Sequence, residues 1–579
     1  MTTFTDILHT HYQTHPDQTA LIMQQAGQPD RTVSYRELLS GANGFASTYA
    51  RRGIQPGEVV ILILQHGEDL VHAFYGAILH GAIPAIMPFL TEKLLPERYR
   101  ADLASLVGVT RPSAVVTYPE FEPEVYAALR VPIGLAAPSE GGRGAALGEG
   151  TSVREVIVTG QVDAPSEPDF TVLGGMRRAA EDTVLLQHSS GTTGLQKGVA
   201  LSHRAVLNQV ETYKRSLNFN SHDVIVSWLP LYHDMGLIAG FLMPVLTGNP
   251  LVLMSPFDWV RSPVRLMKAI SQYRGTLAWM PNFAYNFCAQ KVRARDLEGI
   301  DLSSWRGLIN CSEPMRYESQ MAFLERFQPY GFLPSALLTC YAMAENTFAV
   351  SQGGVDEPAT IDEIDREAMQ VERVARPAQE GRPTTKMVSA GRPIANTQVK
   401  VVDERGNTLP ERQIGELALR SDCMLTGYYH RPDATEKAFI DGWYLTGDYG
   451  YMANGEVYVA GRKKDLIIVG GKNVYPQDLE LLAMQVPGVH AGRVSAFGVF
   501  NDQAGTEDVI VVAEVDSQDP DERARIANEI RQAINRGSAI AVRHVHIVNA
   551  PWIVKTSSGK TARLANREKY LQEVAQAVN

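Results

Sequence analysis

The stretch that most constrains this chain is Ser189-Ser190-Gly191-Thr192-Thr193-Gly194-Leu195-Gln196-Lys197-Gly198. It follows a short apolar run, Val184-Leu185-Leu186, which reads as a strand. Three glycines in ten residues let the backbone bend where a side chain would block it. The hydroxyls of Ser189, Ser190, Thr192 and Thr193, the loop N–H groups and the Lys197 ammonium are all donors suited to phosphate oxygens. It is not a Walker loop, which would need Gly where Gln196 stands, before the Lys. Taken alone, the same residues also fit a polar hairpin turn, and the rest of the chain separates the two readings.

At 579 residues the chain is too long for one ordinary core, so two or more domains are expected. A hydrophobic content of 45% is globular, and a net charge of −10 argues against an electrostatic nucleic-acid binder. The four cysteines, Cys288, Cys311, Cys340 and Cys423, show no Cys-x-x-Cys spacing and read as free thiols of a reducing compartment. The first residues lack the basic and apolar regions of a signal peptide, and no run of 18 apolar residues exists to span a membrane. The expectation is a soluble cytoplasmic protein.

Along the chain, residues 4–24 read as a helix ending in a strand, Ala20-Leu21-Ile22-Met23. Residues 58–64, 69–79 and 83–87 then read as strand, helix and strand, and 113–117 as another buried strand. That is the pattern of a parallel sheet with covering helices. Residues 133–150, rich in glycine, read as a surface excursion. Residues 398–403 and 415–419 read as strands of an antiparallel sub-barrel, joined by the turn Arg405-Gly406-Asn407. From about residue 466 the pattern becomes a small α+β domain: helices over 477–484 and 521–536, strands over 496–499, 509–514 and 544–547. The expected class is α/β, with a large domain of layered sheets plus the sub-barrel over 1–463 and a small mobile domain over 464–579.

Several stretches carry chemistry-bearing residues. Leu229-Pro230-Leu231-Tyr232-His233-Asp234-Met235-Gly236 sets a His beside an Asp, which fits a catalytic or a packed His equally well. Pro281-Asn282-Phe283-Ala284-Tyr285, Ser312-Glu313-Pro314 and Tyr341-Ala342-Met343-Ala344-Glu345 follow. A Tyr can stack on a base and a Glu can hold Mg²⁺ through oxygen. Later come Asp448, Arg462, Lys464 and a cationic loop, Lys555-Thr556-Ser557-Ser558-Gly559-Lys560. Residues 351–389 alternate acids and bases, and their composition fits a solvated surface loop or, over 359–373, one short helix with Ile361, Ile364, Ala368, Met369 and Val371 on its apolar positions.

Taken together and in this order, these motifs resemble the adenylate-forming superfamily of acyl-CoA synthetases, nonribosomal adenylation domains and luciferases, from about residue 5 to 570. Residues 229–236, 281–285 and 312–314 and the insertion at 351–389 most resemble the fatty acyl-AMP ligases. The resemblance implies that a carboxylic (fatty) acid attacks ATP to give acyl-AMP, with Mg²⁺ present, and that the acyl group passes to the thiol of an acyl carrier protein. Coenzyme A is the rival acceptor, as in the acyl-CoA synthetases. It further implies that loop 189–198 holds the ATP phosphates and that Ser312, Glu313, Pro314, Tyr341, Ala342 and Met343 line the adenine. Glu345 would bind Mg²⁺, Asp448 and Arg462 the ribose, and Lys560 would be the catalytic lysine. Lys464 is the expected hinge. His233, Trp279, Met280, Asn282 and Phe283 are the expected acyl-pocket residues, and a Trp279 in that pocket would narrow it against a long straight chain.

Overall fold

A computed structural model describes residues 2–90, 96–130, 151–188, 197–355, 357–501, 505–538, 540–556 and 559–578. Of the expected phosphate loop, Ser189, Ser190, Gly191, Thr192, Thr193 and Gly194 lie outside the described residues, as does the excursion over 133–150.

The strand Val59–Ile63 is apolar at every position, and every position is buried. A run of that kind has no face to give to water and belongs inside a parallel sheet. It pairs in parallel with Ile83–Ile86 on one side and Ala114–Thr117 on the other. The full sheet runs Gly427–Tyr428, Gly198–Ser202, Thr183–His188, Ile83–Ile86, Val59–Ile63, Ala114–Thr117, Glu155–Val158. The helix Tyr35–Arg51 starts at a reciprocal cap between Ser34 and Glu37, which satisfies two otherwise orphaned N–H groups.

A second, nine-stranded sheet centres on parallel neighbours Ile225–Ser227, Leu277–Met280, Gly307–Asn310 and Leu337–Ala342. The chemistry-bearing stretches follow directly at the C-terminal ends of these strands. That end of an open parallel sheet is where ligands bind, because successive connections diverge there and leave a crevice. The sub-barrel is antiparallel: Thr397–Val402 pairs with Gly415–Ser421, which pairs with Trp443–Ala453, which pairs with Glu456–Arg462. The turn at Asp403–Asn407 is held by the Asp403 carboxylate, but the connection runs on to Ile414 before the next strand starts.

Residues 359–373 depart from the expected helix. Ile361–Asp365 is a strand paired antiparallel with Thr384–Val388, and only Ala368–Glu372 makes a helical turn, with π-type bonding. The partner strand, Thr-Thr-Lys-Met-Val, lies some twenty residues downstream, so local periodicity carries no sign of it. Ile364, Ala368 and Met369 are buried, whereas Val371 is exposed.

Beyond Asp465 the chain builds a separate core. Strands Val489–Asn501, Thr506–Val515 and Val542–Val548 form a three-stranded sheet. Its alternating residues divide between two faces. Val494, Ala496, Val509, Val511 and Ala513 pack with helices Pro476–Met484 and Pro520–Ser538. Phe497, Ile510, Val512 and Val548 pack with Trp552, Ile553 and Tyr570. Tyr570 belongs to the last helix, Arg563–Val578, which the sequence patterning had not marked. All four cysteines are free and buried, and no helix among the described residues is long and apolar enough to cross a membrane.

Candidate active site

A cleft of about 2150 Å³ opens between the sheet ends and the small C-terminal unit. It collects His233, Asp234, Asn282, Phe283, Ser312, Glu313, Pro314, Tyr341, Ala342, Met343, Glu345, Asp448, Arg462, Lys464 and Lys560, together with Lys197 from the end of the expected phosphate loop. Residues separated by several hundred positions thus share one wall-to-wall space.

Glu345 follows the strand Leu337–Ala342 in a tight turn. Thr347, two residues on, has φ 62° and ψ −55°, and the N–H of Phe348 donates to the carbonyl of Asn346 at 2.6 Å. A three-residue turn with that backbone is strained for a β-branched residue. It is held by Thr347 Oγ1 donating to the Cys423 carbonyl at 2.7 Å and by Asn346 Nδ2 donating to the Ala349 carbonyl at 2.8 Å. The Glu345 carboxylate accepts from Tyr428 Oη at 2.9 Å, and Tyr428 Oη lies 2.9 Å from Tyr444 Oη. Burial raises the Glu345 pKa above the ordinary carboxylate value, against the pull of the Tyr428 bond. The Lys197 ammonium lies 4.5 Å over the Tyr428 ring, a cation–π contact.

Asp448 sits at mid-strand in Trp443–Ala453. Its Oδ2 accepts from Tyr341 Oη at 2.7 Å, and its Oδ1 is 3.7 Å from Arg462 Nε on the paired strand. Burial raises its pKa while Arg462 and Tyr341 oppose the rise. Lys464, just past that strand, has its pKa lowered by burial and by Arg462.

The Ser312-Glu313-Pro314 segment is fixed by Asn282. Asn282 Oδ1 accepts from Asn310 Nδ2 at 3.1 Å and from the Arg316 N–H at 2.9 Å, and its Nδ2 donates to Ser319 Oγ at 3.1 Å. Glu313 in turn accepts the Phe283 N–H at 3.0 Å. Asn282 therefore shapes the wall of the cleft rather than offering a free polar group to it.

His233 Nδ1 lies 2.6 Å from Asp234 Oδ1, which also accepts the Met235 N–H at 2.8 Å. The following turn, Met235–Leu242, is a fully buried π-helix, a form that recurs at functional sites. A Cβ on Gly236 would lie 2.3 Å from the Pro230 carbonyl oxygen, so only glycine lets this turn close against the segment before it.

Lys560 stands on a loop from the small unit, closed by the Thr556 N–H donating to the Lys560 carbonyl at 2.8 Å and by Gly559 at φ +86°. Burial and Arg462 lower its pKa, while Asp234 and Glu313 act the other way. The small unit is tied down beside it by Arg316 with Asp478 and by Gln477 Nε2 donating to the Ala460 carbonyl at 2.9 Å.

Trp279 and Met280 require a correction. Both are fully buried inside the strand Leu277–Met280, and neither lines the cleft. Trp279 Nε1 donates to Tyr213 Oη at 2.9 Å on the far side of that strand. A strand residue's face is fixed by its parity, and Trp279 falls on the core-facing side. The large aromatic residues that do line the cleft include Trp228, Phe257, Phe283 and Phe287, with Trp228 stacked on Trp259 at 3.5 Å between ring centroids. The sequence reading also missed Tyr428, Tyr444 and Asp478. No local pattern distinguishes them, since each acquires its role from a partner far away in the chain.

Two layered sheets with strand ends converging on a closed cleft, and a cationic loop brought over that cleft by a separate small unit, define an adenylate-forming enzyme. The AMP-binding enzyme profile matches residues 8–429, and the chain belongs to that family. It is 30% identical over 590 residues to the medium-chain-fatty-acid–[acyl-carrier-protein] ligase JamA of Moorena producens (strain JHB), covering 98% of this chain and 95% of the relative. It is 30% identical to the long-chain-fatty-acid–AMP ligase FadD32 of Mycobacterium marinum (strain ATCC BAA-535 / M), over 94% of this chain and 89% of that one. Among solved structures, one from structural and functional studies of fatty acyl-adenylate ligases from E. coli and L. pneumophila superposes with a TM-score of 0.86. It is 26% identical and covers 100% of this chain and 98% of its own.

Proposed function

We propose that this enzyme activates a fatty acid with ATP to form acyl-AMP and pyrophosphate, then passes the acyl group to the phosphopantetheine thiol of an acyl carrier protein. The observation that carries the reading is the convergence of Lys197, Glu345, Asp448, Arg462 and Lys560 on one cleft.

The acid's carboxylate is already ionised at neutral pH, so no general base is needed. The difficulty is electrostatic, because two anions must approach and charge grows on the α-phosphoryl oxygens. Lys560 supplies a positive charge there from the small unit. Lys197 and the phosphate-loop donors hold the leaving phosphates. Asp448 accepts from the ribose hydroxyls, with Arg462 beside it, and Tyr341 packs on the adenine. His233 and the Trp228 and Phe283 side chains wall the acyl end.

Glu345 offers a hard oxygen donor, and among the described residues no cluster of three or more His, Cys, Asp or Glu forms an all-protein metal site. That donor set suits Mg²⁺, which keeps several waters and binds through one carboxylate plus substrate phosphates. When bound, the ion neutralises phosphate charge.

In this reading the large domain covers 1–463 and the small domain 464–579, with Lys464 as hinge. The hairpin of the 351–389 insertion supports a carrier protein over coenzyme A as acceptor. Arg366 reaches the Gly537 carbonyl, Arg373 lies 3.2 Å from Asn473 Oδ1, and Asn473 Nδ2 donates to the Gln370 carbonyl at 2.9 Å. These bonds limit how far the small unit can turn, so that in this reading a partial turn serves the carrier thiol while the path for coenzyme A stays shut.

The test is acid-dependent pyrophosphate–ATP exchange across fatty and aryl acids, with each positive repeated using coenzyme A and a holo acyl carrier protein. Exchange with fatty acids and transfer to the carrier alone supports the reading. Robust CoA-ester formation would make the enzyme an acyl-CoA synthetase, and no exchange with any acid would overturn both readings.

A further inference from the structure

Arg316 is held at both ends. Its backbone N–H donates to Asn282 Oδ1 at 2.9 Å, inside the network that fixes the Ser312-Glu313-Pro314 wall. Its guanidinium crosses to the small unit, where Nη2 donates to Asp478 Oδ1 at 2.5 Å. Asp478 belongs to the first turn of the helix Pro476–Met484, where a carboxylate also meets the positive end of the helix dipole. The residue before it, Gln477, crosses the same boundary to the Ala460 carbonyl. Arg316 and Asp478 are both partly buried, so salt screens their attraction less than that of a fully exposed pair.

The same helix extends the contact inward. Glu480, two residues after Asp478, accepts from Arg563 Nε at 2.8 Å on one oxygen and from Arg563 Nη2 at 2.7 Å on the other. A paired bond of this kind fixes orientation as well as distance. Arg563 Nη1 also donates to Asp465 Oδ2 at 2.9 Å, next to the expected hinge at Lys464. Arg563 follows Lys560 by three residues, and the Ala562 N–H between them donates to the Val554 carbonyl at 3.1 Å, which closes the base of the lysine loop. A continuous run of contacts thus joins the cleft wall to that loop, through Arg316, Asp478, the helix, Glu480 and Arg563. Its later links lie within the small unit and travel with it. The Arg316–Asp478 link crosses between the units and exists only while the small unit sits over the cleft as it does here.

We propose that Arg316 is a positioning residue for adenylate formation: its ion pair with Asp478 docks the small unit against the cleft wall, and the Glu480–Arg563 pair passes that placement on to the Lys560 loop. The inference rests on the proposed function, in which Lys560 serves adenylate formation and the small unit turns for transfer. An enzyme that must leave the docked arrangement in every cycle cannot hold it overwhelmingly, so one partly buried ion pair shifts its population. Arg316 acts through Lys560 and has no part in transfer, when the pair is broken.

The experiment uses R316M, D478N, R316M/D478N, K560A and R316M/K560A in the full-length enzyme. It reads acid-dependent pyrophosphate–ATP exchange and, separately, consumption of supplied acyl-AMP by holo carrier protein. R316M and D478N are each expected to lower kcat for exchange by about five- to tenfold. KM for ATP and acid, and the consumption of acyl-AMP, should stay within about twofold of wild type. R316M/D478N should be no slower than the slower single variant, and R316M/K560A no slower than K560A, since groups acting as one unit are not additive. R316K keeps the charge and should retain most of the exchange. Should R316M not fold, as judged by its melting curve, D478N breaks the same pair from the other unit and takes its place in the K560A background. Multiplicative losses in either double variant, a raised KM at unchanged kcat, equal loss of both half-reactions, or undiminished exchange in the single variants would each overturn the proposal. Wild-type enzyme that exchanges with no acid would instead overturn the functional reading on which it stands.

Discussion

Tyr341 Oη donates a 2.7 Å hydrogen bond to Asp448 Oδ2, joining a strand end of the nine-stranded sheet to a strand of the sub-barrel across 107 residues of sequence. The bond fixes the aromatic ring and the carboxylate at one spacing, and the proposed function gives the ring to the adenine and the carboxylate to the ribose. It also stabilises the ionised form of a buried acid.

Tyr341→Phe keeps the ring and removes that donor. Loss of one hydrogen bond to a charged group costs about 1.5–3 kcal/mol, so KM for ATP is expected to rise by about tenfold or more. Because the bond lowers the Asp448 pKa, its loss raises that pKa, and the acidic limb of the exchange rate should move to higher pH. Exchange kinetics from pH 5 to 8 read both effects, and an unmoved acidic limb would count against the ribose role of Asp448.

Lys560→Ala is expected to slow adenylate formation by roughly 10²–10³, the usual loss for one charge-stabilising donor. Consumption of supplied acyl-AMP should change little. In the wild type the exchange rate should also fall on the alkaline side at a pH below that of an ordinary lysine, because burial favours the neutral amine. Single-turnover assays of the two half-reactions separate this role from a general loss of structure.

A hinge absorbs backbone dihedral change, and proline fixes φ and removes a donor. Lys464→Pro should leave adenylate formation largely intact and block transfer to the carrier. Collapse of adenylation with transfer of supplied acyl-AMP preserved would place the hinge elsewhere.

The hairpin contacts offer a test of acceptor choice without excising buried Ile364 and Asp365. Arg366→Ala combined with Asn473→Ala removes the bonds to the Gly537 and Gln370 carbonyls while leaving the cleft untouched. Adenylate formation should persist and CoA-ester formation should rise above wild type. Unchanged CoA use in the variant would remove the hairpin from the acceptor choice.

His188 and His203 are buried, and burial pushes each pKa down to about 4. Neither ring nitrogen of His188 has a partner among the described residues. Above pH 6.5 the unfolded and folded forms are both neutral at these sites and full stability is present. Between 6.5 and 4 the unfolded chain takes up protons that the fold refuses, so stability falls as pH falls, by up to about 3 kcal/mol per site. Urea midpoints measured from pH 7 to 4.5 should decrease, and His188→Leu should flatten that slope.

Much of this protein is written locally. Val59–Ile63 states its buried strand by being apolar throughout, the alternation in 494–498 and 509–513 states two packed faces, and the order of motifs from residue 184 to 560 states the chemistry. These are properties of residue type at short spacing, which sequence displays directly. Other features were fixed only in three dimensions. Trp279 turned to Tyr213 rather than to the cleft because its place in the strand set its face. Residues 361–365 became a strand because Thr384–Val388 arrived to pair with them. Tyr428 met Glu345, and Arg316 met Asp478, only once distant strand ends and the small unit came together at one cleft. Composition and period determine which elements form. The partners of a buried charge are decided by packing, since a carboxylate withdrawn from water is stabilised by whatever the fold brings within a few ångströms, however far away that lies in the chain.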